Sequence, residues 1–353
     1  MTRPANFALP GDITTLTGGY LYDHQLVQGL RDQGRPVQVV QLPDSFPTPD
    51  DRDMARAIDQ LRALPADQPV IIDGLAFGAL DTKALASVRA PIVAMIHHPL
   101  AQESDLPDDL ADHLLRTERA NLRLARHVLV PSPHTRDMLI ERYDVPADRI
   151  TIARPGTKAR QPRQVRKAHP ALILSVGILH PRKGHDVLVQ ALGMLGDLEW
   201  QAQIVGNPWD DAHVTRLQDL IARSPLGDRI TLAGRVSDDR LQDLYGQASV
   251  FALATRYEGY GIVFDEALSH GLPIVSTTAG AVPGTVPADA GLLVAPDDGA
   301  ALADALRRML TDVSFRERHA DAARQAGLAL PSWDDTARIV ARVLDDVMDA
   351  PAQ

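Results

Sequence analysis

At 353 residues the chain is long enough for two domains of roughly 150 residues or a little more. Its 45% hydrophobic and 23% charged content is ordinary for a globular protein, and 4% aromatic content argues against a carbohydrate-binding module lined with tryptophan and tyrosine. A net charge of −10 argues against a general nucleic-acid binder, and the lack of cysteine excludes disulfides, thiolate catalysis and cysteine-ligated metals.

The N-terminal stretch MTRPANFALPGDITT has no apolar segment of secretory length, and no run approaches the ~18 apolar residues of a membrane span. A cytoplasmic location is therefore expected. Phe7-Ala8-Leu9 starts a strand, followed by a loop from Pro10 to Gly19 and a helix to about Arg31, with Val37 to Val40 as the next strand. The glycine pair Gly18-Gly19 at the helix entrance lets backbone approach a phosphate closely, although most such pairs only make turns. Asp51 to Leu64 reads as a helix whose Asp51-Arg52-Asp53 is a helix start rather than a metal motif. Val70 to Asp73 and Pro91 to Ile96 are buried strands. The second is followed at once by His97-His98, at the carboxyl end of a strand, where open α/β sheets bind ligands. Adjacent histidines with no i,i+4 partner are poor metal ligands, so no metal site is expected.

A helix is expected from Ala111 to His127, with Arg116, Arg119, Arg123 and Arg126 along one face. Those arginines are either a solvated stripe or a docking face for an anionic membrane. Between Arg149 and His185 stand nine Lys or Arg residues and no acidic one. That block is either a solvated linker beside an anion-binding loop or a surface for a membrane or acidic ligand. It includes the polar, proline-containing linker Gln161 to Pro170. Strand and helix then alternate again from Ala171 to a final amphipathic helix after Trp333. Two such runs predict an α/β protein of two doubly wound, parallel-sheet, Rossmann-like domains facing across a cleft. The expected domains are residues 1–162 and 169–333.

The chemistry concentrates in the second run. Arg182 and Lys183 lie between Gly177 and Gly184, in a loop at the carboxyl end of its first strand, within reach of a diphosphate. The turn Gly234-Arg235-Val236 follows a strand that would border a nucleotide base. From Ala252 to Thr278 the chain reads strand, loop, helix, turn, strand, with Glu258 in the loop and Glu266 in the helix. The N–H groups of Tyr260, Gly261, Ile262 and Val263 would stand at that helix start, where the dipole favours an anion. This arrangement suits a nucleotide-sugar pyrophosphate, with Glu258 towards the transferred sugar and Glu266 accepting from a ribose diol.

With these residues in view, nearly the whole chain resembles the retaining glycosyltransferases of family 4, which have the GT-B fold. EGYGIVFDEALSHGLPIVST carries the E-x7-E pattern through Glu258 and Glu266, and HPRKGHDVL resembles the phosphate loop. VPSPHTRDML, TIARPGTK and LPGDITTLTGGYLYD resemble the strand-Ser-helix, Pro-Gly and glycine-loop segments of the first domain. The family's phosphate loop often reads Gly-Arg where this chain has Gly177-Ile178, so Arg182 would supply that charge.

The resemblance implies that Arg182 and Lys183 neutralise the leaving diphosphate, that Glu258 bonds the donor sugar and that Glu266 holds the ribose. It implies Gly18 and Gly19 at the donor phosphates and His97 near the transferred sugar. It also implies that a helix over residues 334–350 returns to the first domain. Transfer of a hexose-type sugar from a UDP-sugar with retention is expected, with no metal or other cofactor beyond the nucleotide-sugar co-substrate.

The acceptor stays open. HHPLAQESDL and TGGYLYD resemble a subgroup associated with glycolipid formation, which makes Tyr20, Asp23, His98 and Glu103 candidates on the acceptor side. A membrane lipid such as diacylglycerol, with peripheral contact on the inner membrane face, stands beside a saccharide or small-molecule acceptor. A nucleotide-sugar 2-epimerase would need first-domain acid/base carboxylates, for which no clear candidate is seen. A non-enzymatic sugar-binding protein would need a signal peptide and neither Arg182-Lys183 nor the paired glutamates.

Overall fold

The computed structural model describes residues 3–15, 17–103, 106–157 and 165–350. It forms two units, Met1–Lys158 with Pro331–Gln353 and Ala159–Leu330. The boundary expected at residue 162 and the linker residues 161–164 lie outside the described residues, as do Leu16, Ser104 and Asp105 of the two loops compared with the family.

In the first unit the chain runs through β1 (Ala5–Pro10), α1 (Gly18–Asp32), β2 (Val37–Leu42), α2 (Asp51–Arg62) and β3 (Val70–Asp73). It continues through α3 (Gly74–Phe77), α4 (Thr82–Leu85), β4 (Ile92–Met95), α5 (Asp108–Leu122), β5 (His127–Val130), α6 (Pro133–Tyr143) and β6 (Ile150–Ile152). All the strands pair in parallel in the order β2-β1-β3-β4-β5-β6. Every residue of β1, β3 and β4 is buried, in keeping with sequences that are apolar apart from Asn6 and Asp73. The chain steps from β1 to β2, then reverses to β3, so the carboxyl ends of β1 and β3 border a topological switch point.

The C-terminal helix Trp333–Asp349 belongs to this unit. A capping box at Ser332 and Asp335 starts it, and Thr336, Ala337, Val340, Val343, Leu344 and Val347 form its buried face. Gly29 of α1 admits it, because a Cβ there would stand 2.8 Å from Ala337 Cβ. At Gly156 a Cβ would come within 2.2 Å of the Trp333 backbone. The Pro-Gly pair of the sequence is thus the place where the returning chain crosses.

The arginine stripe does not form as expected. Helix α5 stops at Leu122, Arg123 is its C-cap, and the chain is already entering β5 at Arg126, whose N–H bonds Ile92 O. Buried Asn121, which donates to the carbonyls of Phe77 and Leu80, anchors the helix end. Arg119 pairs with Asp144 and Arg126 donates to Val347 O, so the four do not share one helical face.

The second unit runs through β7 (Ala171–Val176), α7 (His185–Gly193), β8 (Trp200–Val205), α8 (Asp211–Arg223), β9 (Ile230–Gly234), α9 (Asp238–Gln247) and β10 (Val250–Leu253). Then come α10 (Ile262–Ser269), β11 (Ile274–Thr277), α11 (Val282–Thr285), β12 (Gly291–Val294), α12 (Gly299–Thr311) and α13 (Val313–Leu328); the C-terminal helix is α14. The parallel order is β12-β11-β10-β7-β8-β9. The reversal between β9 and β10 places this unit's switch point at the carboxyl ends of β7 and β10. Among the described residues no helix is long and apolar enough to cross a membrane.

Candidate functional site

In the second unit the two strands of the switch point deliver the polar residues. After β7 a single 3-10 turn, Pro181–Lys183, presents Arg182 and Lys183 and closes on Gly184. Gly184 has φ of +63°, and a Cβ there would lie 1.9 Å from the Ala254 carbonyl oxygen at the end of β10. Only glycine lets the two loops meet. The contact is tied by Arg256, whose N–H donates to Arg182 O at 2.7 Å. Its guanidinium spans both oxygens of Asp186 at 3.0 and 2.8 Å and reaches Asp297 at 2.7 Å.

Lys183 Nζ lies 2.6 Å from Glu258 Oε1. Glu258 is 4% exposed. Burial pushes its carboxyl pKa up, but the charges of Lys183 and Arg182, with hydrogen bonds from Lys183 and Thr255, hold it below the ordinary value. Its carbonyl accepts from Ala281 N at 2.8 Å, beside Gly280 with φ of +55°.

Gly261, with φ of +89°, starts α10 without a side-chain cap, so the N–H groups of Ile262 and Val263 open the helix with no intrahelical partner. Tyr260 is buried and donates to Asp265 at 2.6 Å. Glu266 is half-buried and accepts from Tyr245 of α9 at 2.9 Å, a partner the sequence reading missed. Tyr245 in turn stacks on His270, with ring centroids 4.8 Å apart.

Arg235 and Val236 follow Gly234 at the carboxyl end of edge strand β9, separated from β7 by β8; Arg235 is exposed and Val236 half-buried. Another residue missed in the sequence is Trp209, after β8, which is 59% exposed and meets His180 edge-on at 5.0 Å. His180 itself accepts from Arg182 N, so the tryptophan leans on the Pro181–Lys183 turn.

In the first unit Gly18 and Gly19 are the first residues of α1, entered from Thr17 without a side-chain cap. A Cβ at Gly18 would meet open space, whereas one at Gly19 would stand 3.3 Å from the His97 ring. One turn on, Asp23 Oδ1 lies 2.9 Å from His97 Nε2, and Asp73 Oδ2 from the end of β3 lies 3.6 Å from the same nitrogen. Asp23 is 1% and Asp73 3% exposed. Burial, then the Asp23 charge, pushes the Asp73 carboxyl up to about 7 against the opposing pull of His97. Burial pulls His97 down, but Asp23 and Asp73 outweigh it and raise its pKa. Asp73 had no role in the sequence reading.

Tyr20 donates to Pro10 O, and burial with the charges of Asp73, Asp23 and Asp44 pushes it up to about 12. His98 Nε2 and Glu103 Oε2 pair separately at 2.9 Å. Among the described residues Asp23, Asp73 and His97 are the one group whose ligand atoms lie within 4.8 Å of one another. The 2.9 Å contact has the length of a charge-assisted hydrogen bond, so we read Asp23 and His97 as a hydrogen-bonded pair with Asp73 as a charged neighbour at 3.6 Å.

Two family models tile the chain: Glycosyltransferase Family 4 over residues 18–160 and Glycosyl transferases group 1 over residues 157–326. The chain belongs to glycosyltransferase family 4. Among curated relatives of this family member, the O-antigen chain mannosyltransferase B of Escherichia coli is 29% identical over 60% of this chain and 58% of its own length. The D-inositol 3-phosphate glycosyltransferase of Xylanimonas cellulosilytica is 32% identical over 56% of this chain and 52% of its own. The chain thus spans about half the length of the curated relatives it matches. Sucrose-phosphate synthase of Thermosynechococcus elongatus has the same fold, with a TM-score of 0.81 and 21% identity, covering 98% of this chain and all of that one. Anabaena HepE, solved with UDP-glucose, gives a TM-score of 0.74 and 17% identity over 97% of this chain and 99% of its own. The GT-B class expected from the sequence is therefore the observed one.

Proposed function

We propose that the protein is a glycosyltransferase that moves a hexose-type sugar from a nucleotide-sugar to an acceptor with retention at the anomeric carbon. The observation that carries this reading is the Lys183–Glu258 pair at the β7/β10 switch point, beside Arg182 and the uncapped start of α10. Two cations and a helix N-terminus suit a diphosphate. Lys183 has three N–H donors, so one can hold Glu258 while the others serve phosphate oxygens.

In the proposed step the bond from the anomeric carbon to the diphosphate breaks, and the acceptor oxygen bonds on the same face. The acceptor proton passes to the leaving phosphate oxygen. Arg182 and Lys183 stabilise the charge that develops there, so no general base is needed. They supply the charge a divalent cation would otherwise bring, and undiminished turnover in chelator is expected. Glu258 orients the sugar hydroxyls and Glu266 the ribose; UDP is the proposed nucleotide, supported by HepE being solved with UDP-glucose.

For the acceptor we favour a saccharide or polyol phosphate over a membrane lipid. The printed names of relatives, such as D-inositol 3-phosphate glycosyltransferase and mannosylfructose-phosphate synthase, point that way. The dispersal of Arg116, Arg119, Arg123 and Arg126, of which only the first two lie within α5, also removes one argument for a docking face on lipid.

The test is nucleotide release from UDP-glucose, UDP-galactose, UDP-glucuronate and GDP-mannose, with sugar-phosphate, polyol-phosphate and lipid acceptors, products being read by mass spectrometry. Release with a soluble acceptor supports the whole reading, and transfer to diacylglycerol alone moves the acceptor to lipid. No release from any donor, with no rise in melting temperature on adding UDP or GDP, would sink it.

A further inference from the structure

Two buried carboxyls and one half-buried imidazole meet at the switch point of the first unit, each from a different element: Asp23 from α1, Asp73 from the end of β3 and His97 from beyond β4. Two buried carboxylates facing one imidazole cannot all be charged cheaply, because a buried charge needs its own partner. The carboxylate of Asp23 at 2.9 Å requires a proton on His97 Nε2. That fixes which ring nitrogen is tied inward. Tyr22 packs edge-on against the ring at 5.1 Å, and Gly19, where a Cβ would stand 3.3 Å from it, leaves room for the ring. His97 Nδ1 makes no hydrogen bond to any described residue, and the side chain keeps 18% of its surface exposed. The ring is thus held on one nitrogen and open on the other.

We propose that Asp23 is a positioning residue that holds the Nε2 proton of His97, with Asp73 adding its charge from 3.6 Å, and that the pair keeps the ring cationic, so that Nδ1–H is offered as a charge-assisted donor to a sugar hydroxyl met at the carboxyl end of this sheet. The sugar-facing part rests on the transferase reading above; the holding part does not. Asp23 is then a support for the site rather than a contact to the acceptor. The other titratable groups facing the cluster are Tyr20, which feels both carboxylates and Asp44, and Tyr22, which feels Asp23.

The experiment is a long-range 15N–1H NMR titration of His97 in the full chain from about pH 5 to about pH 9, with His97→Gln for assignment, on wild type, Asp23→Asn and Asp73→Asn. Asparagine keeps the size of each side chain, and a thermal melt checks that each variant is folded. In wild type both ring nitrogens carry protons at neutral pH. Asp23→Asn is expected to lower the His97 midpoint by about one unit or more, and Asp73→Asn by less. In parallel, the alkaline limb of kcat should move with that midpoint, and Asp23→Asn should lower kcat by about tenfold or more with a smaller change in donor KM.

A neutral His97 ring at pH 7, or a midpoint unmoved in folded Asp23→Asn, overturns the proposal. If His97 titrates as expected but wild type transfers no sugar, the transferase reading and the sugar-facing part fall while the holding role stands. If wild type transfers sugar and Asp23→Asn changes neither kcat nor its pH limb, the sugar-facing part is refuted.

Discussion

Each unit has its own switch point, between β1 and β3 in the first and between β7 and β10 in the second, and the two have opposite electrostatics. In the second unit a cationic pair, Arg182 and Lys183, meets one buried carboxylate, Glu258, which Lys183 neutralises. In the first unit two buried carboxylates meet one imidazole, and Asp73 responds by holding its proton to about 7. The first arrangement leaves positive charge for an anion; the second leaves a proton in play. The reversal of strand order therefore fixes where a ligand is met, and the residues on the strand ends decide what kind.

The largest expected effect comes from breaking the second-unit pair. Lys183→Ala strands Glu258 in a buried site, so transfer should fall by at least about a hundredfold and stability by roughly 3 kcal/mol, read by steady-state kinetics and denaturant melts. Gly184→Ala comes next, since the added methyl meets Ala254 O and the backbone sits at φ of +63°. A loss of about 3 kcal/mol is expected in the same melts. Wild-type stability there would mean that the two loops do not need to touch.

The comparison also predicts opposite pH responses. Asp73 binds its proton more tightly in the folded chain than its ordinary value of 3.8, so the unfolded chain loses that proton first. Its contribution to stability falls as pH rises from about 4 to about 7, and Asp73→Asn should gain on wild type across that window in melts at stepped pH. His185, the first residue of α7, behaves in reverse: burial and then Lys183 push its pKa from 6.5 down to about 3. Stability is lost as pH falls from about 6.5 towards 3, and His185→Gln should gain on wild type only in that acid window. The smallest effect is at Gly29→Ala, where the new methyl presses on Ala337; a loss of about 1 kcal/mol is expected from parting α1 and α14.

Much of the second-unit site was legible because its signals are local. Gly184 follows Lys183 directly, and Glu258, Gly261 and Glu266 lie within one loop and helix, so spacing alone placed them. The strand order was not legible, and with it went Asp73. Asp23, Asp73 and His97 are far apart in sequence and meet only because β1, β3 and β4 are neighbours. The same holds for Tyr245 as partner of Glu266, and for Gly156, whose missing side chain makes room for a segment near the far end of the chain. The arginine stripe misled because helical periodicity was carried past Leu122, where Asn121 is fixed by tertiary hydrogen bonds.

The central claim is that Arg182 and Lys183 make the second unit a diphosphate site. It is tested most directly by titrating UDP into wild type, Arg182→Gln and Lys183→Gln and measuring Kd by calorimetry. Each substitution is predicted to weaken UDP by about tenfold or more, because each removes a charge-assisted contact. UDP binding of unchanged affinity in both folded variants would contradict it.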